Sequence, residues 1–169
     1  MEGGISKVVS KEMQDKVSSL SEEMITIVNN IVFEYTKDLD DYMVKIDERL
    51  LKSAVPLSNL ELETFILNLS SMLYFVSSAQ ETLGIKEDVC KAMRKEAYTS
   101  ARELCHGTVA DKDAAGILAS QEEQLINDAY TRAYKKVKLR VDAGGEMLSS
   151  LKKVLSARIS EMGLANSKI

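Results

Sequence analysis

The chain has 169 residues, 45% of them hydrophobic and 28% charged, with a formal net charge of -4. That length and composition suit one folded domain with a buried core and exclude a disordered chain. One proline, eight glycines, no tryptophan and 5% aromatic residues leave too few strand formers and turns for a β-sandwich or barrel, so the expected class is all-α.

From about Val8 to Ala54 apolar residues recur at Met13, Val17, Leu20, Met24, Ile27, Ile31, Tyr35, Leu39, Tyr42, Ile46 and Leu50. Gaps of three and four define a helix, and the first stretch alternates them as heptads do. A helix over 8–54 is roughly 65–70 Å long, which points to an elongated or coiled-coil molecule. The segment "NNIVFEYTKDLDD" is its expected break, because Asn and Asp favour caps over helix interiors.

The lone proline, Pro56, ends that helix, and "PLSNLELE" opens the next. Ser58 followed by Glu61 has capping-box spacing. The helix over 59–83 is apolar on most sides, which predicts burial in the domain centre or in an oligomer interface. Gly84 is the expected stop, followed by a third helix over 86–104. There Gly107 of "HGT" is placed to adopt a left-handed conformation. These two helices form an expected central helical hairpin between long N- and C-terminal helices.

The last expected helix spans 111–162 and closes at Gly163. Its seam runs through Tyr130, Tyr134, Val137, Val141, Gly144, Leu148, Leu151 and Leu155, a heptad a/d series suited to core packing or to self-association. Gly144 and Gly145 each cost about 1 kcal/mol against alanine in a helix interior. They are expected where another helix comes close or the rod bends.

The charge is divided along the chain. Residues 1–129 hold 13 Lys/Arg against 23 Asp/Glu, a balance of -10, whereas residues 130–169 hold 9 against 3, a balance of +6. The stretch "YTRAYKKVKLR" concentrates this charge. On a helix Arg132, Lys135, Lys136 and Arg140 lie opposite the seam, Lys138 lies at the flank, and Lys153 and Arg158 extend the positive side. Such a ridge either is a solvated surface, or matches acidic faces of its own assembly, or binds phosphates by counterion release. Without a glycine-rich phosphate loop it suits backbone contact better than base reading. Tyr130 and Tyr134 are expected as core residues rather than as stacking platforms.

Catalytic and metal chemistry is not expected. His106 and Cys105 are neighbours, so their side chains diverge by about 100° on a helix and do not form a nucleophilic pair. His106 instead suits a helix C-terminus. Cys90 and Cys105 lie more than about 20 Å apart along a helix, beyond disulfide reach, and are read as small apolar residues. With one histidine there is no zinc spacing. "DKDAAG" lacks the later ligands of a calcium loop, and no Walker loop or dinucleotide fingerprint is present, so no metal or cofactor is expected. No apolar run is long enough to cross a bilayer and "MEGGISKVV" is not a signal peptide, so a cytoplasmic, non-membrane protein is expected.

"GTVADKDAAG", the Tyr/Lys-rich helix and "MLSSLKKVLSARISEM" together resemble the UvsY-type recombination mediators of tailed phages. The likeness lies in the "ADKD" stretch, Ala110 to Asp113, leading into a long helix that closes on "SLKKVLSAR", Ser150 to Arg158. It implies a small, helical, oligomeric protein of the host cytoplasm that binds single-stranded DNA and helps load a recombinase onto coated strands. The expectation is therefore an elongated all-α homo-oligomer acting as an accessory nucleic-acid-binding protein. The alternative is a non-catalytic helical protein–protein interaction module, either an inhibitor or an assembly factor.

Overall fold

The computed structural model describes residues 11–52 and 55–166. They form α1 (Lys11–Lys52), α2 (Asn59–Leu104), α3 (Val109–Ala119) and α4 (Gln121–Asn166), with no strand among the described residues. The expected helix limits at Val8 and Ala54, and the side chain of Met13, lie outside what is described. The class is all-α, as expected. The helices break in different places.

α1 buries Val28, Val32, Thr36, Leu39 and Ile46. Of the expected stripe only Leu39 and Ile46 are fully inside; Met24, Ile31, Tyr35 and Tyr42 are half-buried, and Val17, Leu20, Ile27 and Leu50 are exposed. The buried face lies one residue over, at Val28, Val32 and Thr36. The helix passes through "NNIVFEYTKDLDD" without a break. The polar residues there are used rather than tolerated. Asn29 accepts a hydrogen bond from Lys136 Nζ at 2.8 Å, and Asp40 accepts one from Thr36 Oγ1 at 2.9 Å. Packing of the apolar stripe outweighs the local preference of Asn and Asp for caps.

The connector to α2 is tied down from α1. Arg49 donates from Nη1 to the Val55 carbonyl at 3.1 Å, and from Nε and Nη2 to Glu61 Oε1 at 3.0 and 2.9 Å. The Ser58–Glu61 capping box is formed: the Ser58 hydroxyl accepts from Glu61 N–H, and Glu61 Oε2 accepts from Ser58 N–H at 2.8 Å. The Ser58 backbone and hydroxyl, and then Arg49, hold the Glu61 carboxyl below its ordinary value.

α2 does not stop at Gly84, so 59–83 and 86–104 are one helix and no central hairpin forms. Gly84 has no positive φ, and a Cβ there would sit 3.5 Å from the Tyr134 ring, an ordinary contact. Leu83 is fully buried beside it, and a Lys91–Glu87 ion pair at 2.9 Å supports the next turn. Gly107 is not left-handed either. It leaves room for Asp111, whose Cβ would lie 2.9 Å from an added methyl and whose carboxylate closes a second capping box with Thr108. Cys90 is buried on α2, Cys105 caps its end, and both are free thiols.

The expected last helix is two. Ser120, at φ -102° and ψ 10°, ends α3, its N–H reaching the Gly116 and Ile117 carbonyls, while its own carbonyl accepts from Gln124 N–H at 3.0 Å and starts α4. α4 then continues through Gly163 to Asn166.

α2 and α4 are the principal pair and run antiparallel, with Gly84 opposite Tyr134 and Leu73 opposite Gly144. α1 lies along both, parallel to α4, and α3 folds back on the end of α2. At about 1.5 Å per residue the two 46-residue helices are each about 69 Å long. Lys86 links three of the helices. Its Nζ donates to Tyr35 Oη at 3.0 Å and stands 5.8 Å from the Tyr130 ring centroid, and the Tyr35 bond raises its pKa.

The adjacent glycines of α4 differ in role. Gly144 is buried, and a Cβ there would meet Leu73 Cδ2 at 2.8 Å and Leu39 Cδ1 at 3.5 Å, the close approach the sequence suggests. Nothing lies within 4 Å of a Cβ at Gly145. Gly145→Ala is therefore expected to stabilise the protein by about 0.5–1 kcal/mol through helix propensity. Gly144→Ala loses that gain to displacement of Leu73. Paired thermal or urea melts check the contrast, and equal effects of the two substitutions would refute it.

Candidate nucleic-acid interface

The heptad seam of α4 is inside. Val137, Gly144 and Leu151 are buried, and Tyr130, Tyr134, Val141, Leu148 and Leu155 are half-buried. Ala129 and Ala133 are buried with them. These small residues lie on the turns beside the seam, where the heptad pattern gives no cue to their burial. Both tyrosines are bundle residues: Tyr134 packs against Gly84, and Tyr130 carries Lys86 over its ring.

With the seam fixed, helix geometry turns the cations outward. Arg132, Lys135, Lys136, Lys138, Arg140 and Lys153 are exposed, and Arg158 is half-buried. Their surroundings separate them. Arg140 Nε makes an ion pair with Asp40 Oδ1 of α1 at 3.3 Å. Arg158 donates to the Leu57 carbonyl in the α1–α2 connector and so belongs to the bundle end rather than to an open ridge. Lys136 reaches the neutral Asn29. Lys135 acts electrostatically on Glu87. The Glu87 pKa is lowered first by Lys91, then by Thr131, and last by Lys135. Among the described residues, Arg132, Lys138 and Lys153 have no hydrogen-bond or ion-pair partner.

Arg132, Lys135 and Lys136 also form one rim of a groove between α4 and the first half of α1. Its floor is apolar, with Leu20, Met24, Val28 and Leu125, and Asp128 places one carboxylate on the same rim a turn before Arg132. The opposing wall is the N-terminal end of the α1 heptad stripe, visible in the sequence as a pattern but not as a groove wall. No aromatic ring lines this groove, so it offers phosphate contact without a stacking platform.

The "ADKD" stretch has structural work. Asp111 caps α3, and Asp113 Oδ1 accepts from Tyr98 Oη at 3.1 Å and pairs with Arg102 Nε at 3.0 Å, fixing α3 to α2. Among the described residues no three His, Cys, Asp or Glu side chains are grouped to hold a metal ion, and no helix is long and apolar enough to cross a membrane. No protein-family model matches the chain, and neither a curated protein nor a solved structure is similar to it.

Proposed function

We propose that this chain is a non-catalytic accessory protein that holds single-stranded nucleic acid by its phosphates along the outer face of α4. The observation that carries this reading is the cluster of Arg132, Lys135, Lys136 and Lys138. All four are exposed within two helical turns of an otherwise acidic chain, and among the described residues none makes an ion pair with a carboxylate. Tyr130 and Tyr134, the aromatic residues nearest to them on α4, are packed into the bundle, which fits backbone contact rather than sequence reading. The resemblance of residues 107–162 to phage recombination mediators points the same way. It supplies the finer proposal of a homo-oligomeric loader acting on coated strands in a host cytoplasm.

The test is anisotropy of a fluorescent oligonucleotide across a salt series. Binding at micromolar protein is expected at low salt, with log K falling against log salt at a slope of about -3 for four phosphate contacts. Reversing the charge of all four residues is expected to abolish binding with the helical circular dichroism unchanged. No anisotropy change at low salt would sink the reading.

A second reading, a helical protein–protein module, is favoured by the apolar floor of the α1–α4 groove. That reading expects capture of a protein partner that survives nuclease treatment, and loss of capture when Leu20 and Leu125 are replaced by polar residues.

A further inference from the structure

α2 has two apolar faces, and the bundle uses one. Leu62, Leu69 and Val76 are buried on the inner face. On the opposite side Leu60, Leu67 and Tyr74 are 73%, 69% and 73% exposed. No charged residue occurs from Thr64 to Gln80. A surface helix ordinarily carries charge on its outer side, so five turns without any mark a face that another protein surface covers.

The pattern on that face identifies the occupant. The stripe reads Leu60, Thr64, Leu67, Ser71, Tyr74, Ser78, with gaps of 4, 3, 4, 3 and 4, and large residues alternate with small ones. Placed against itself in antiparallel order, the stripe sets Leu60 opposite Ser78, Thr64 opposite Tyr74 and Leu67 opposite Ser71. Every large side chain meets a small one, and no like charges meet. A two-fold interface requires this self-complementarity, and a foreign partner does not. The Thr64 hydroxyl already donates to the Leu60 carbonyl at 2.7 Å, so its own donor stays paired when it is covered. Phe75 and Phe33 line one groove beside the stripe and are themselves largely exposed. With them the face offers on the order of 700–800 Å² per copy, the size of one side of a standard interface.

We infer that the outer face of α2 is a two-fold, antiparallel dimer interface with a second copy of this chain. The contact lies on a different helix from the cations of α4, so each dimer carries two ridges. The inference does not rest on nucleic-acid binding and is tested without it.

Sedimentation or light scattering of the full chain at micromolar concentration is expected to give twice the 18.7 kDa chain mass. The mass is expected to stay the same in high salt, because the stripe is uncharged. Leu67→Glu is expected to reduce it to the monomer with unchanged helical content. Leu139→Glu, at an exposed leucine of α4, is the control and is expected to keep the dimer. Ser71→Phe distinguishes fitted packing from general stickiness. It adds apolar surface, yet it is expected to weaken the dimer at least tenfold by filling the space that Leu67 of the other copy needs. A wild type at monomer mass, or an assembly whose mass neither Leu67→Glu nor Ser71→Phe changes, overturns the inference.

Discussion

Gly116→Ala is expected to destabilise the protein by about 1–3 kcal/mol, although alanine is the better helix former by about 1 kcal/mol. Gly116 is buried in α3 against the end of α2. A Cβ there would stand 2.8 Å from two carbons of the Tyr98 ring and 3.0 Å from the Tyr98 carbonyl oxygen. The ring could turn aside, but the carbonyl belongs to the α2 backbone and cannot. α3 must therefore move outward, which lengthens the Tyr98–Asp113 and Arg102–Asp113 contacts that hold it. The measurement is a urea melt with hydrogen exchange resolved by segment. Exchange is expected to quicken in α3 and in residues 95–104, with the α1–α2–α4 core unaffected. A variant as stable as the parent would show that the close approach of the two helices is not needed. The outcome bears on the resemblance as well. Gly116 ends the "GTVADKDAAG" stretch, and Gly107, Asp111, Asp113 and Gly116 each have a packing or capping role, so this motif is accounted for by the turn it builds.

The sequence carried the periodic part of this fold well. The α4 seam faces inward as its spacing requires, and the Ser58–Glu61 box closes as written. The α1 stripe does so only in part, since Leu39 and Ile46 are buried while Val17, Leu20, Ile27 and Leu50 are exposed. Local punctuation was less dependable. Gly84 looks like a stop, yet it is one more half-buried position in a helix that Leu83 and the Glu87–Lys91 pair carry onward. The true break, at Ser120, has its own cue in Ser120 followed by Glu123. The box is not made in the usual form, because the Ser120 hydroxyl donates back to the Ile117 carbonyl at 3.3 Å. The apolar α2 helix was ambiguous for a physical reason: hydrophobicity on all sides does not say which side the chain covers for itself. The direction of the α4 cations follows from the seam alone. Their availability does not, because Asp40 and Leu57 approach Arg140 and Arg158 from about a hundred residues away in the sequence.

That long-range pairing gives a result of opposite sign in two measurements. Asp40 accepts from the fully buried Thr36 hydroxyl through one oxygen and pairs with Arg140 through the other. Asp40→Asn keeps an acceptor for Thr36 and removes the charge that holds Arg140. The ion pair is half-exposed, so its loss is expected to change stability by less than about 1 kcal/mol. The released guanidinium joins Lys136 and Arg132 on the ridge. Oligonucleotide binding is then expected to tighten by about three- to tenfold, and its salt slope to steepen by about 0.7, the increment of one further phosphate on a single strand. Asp40→Ala frees the same arginine but strands the Thr36 hydroxyl. It should bind as tightly as Asp40→Asn while losing about 1–3 kcal/mol of stability. If both variants bind as the parent does while Lys136→Glu weakens binding, Arg140 lies off the phosphate path and the ridge ends at Lys138. If neither Asp40 variant nor Lys136→Glu alters binding, the outer face of α4 is not where the strand lies.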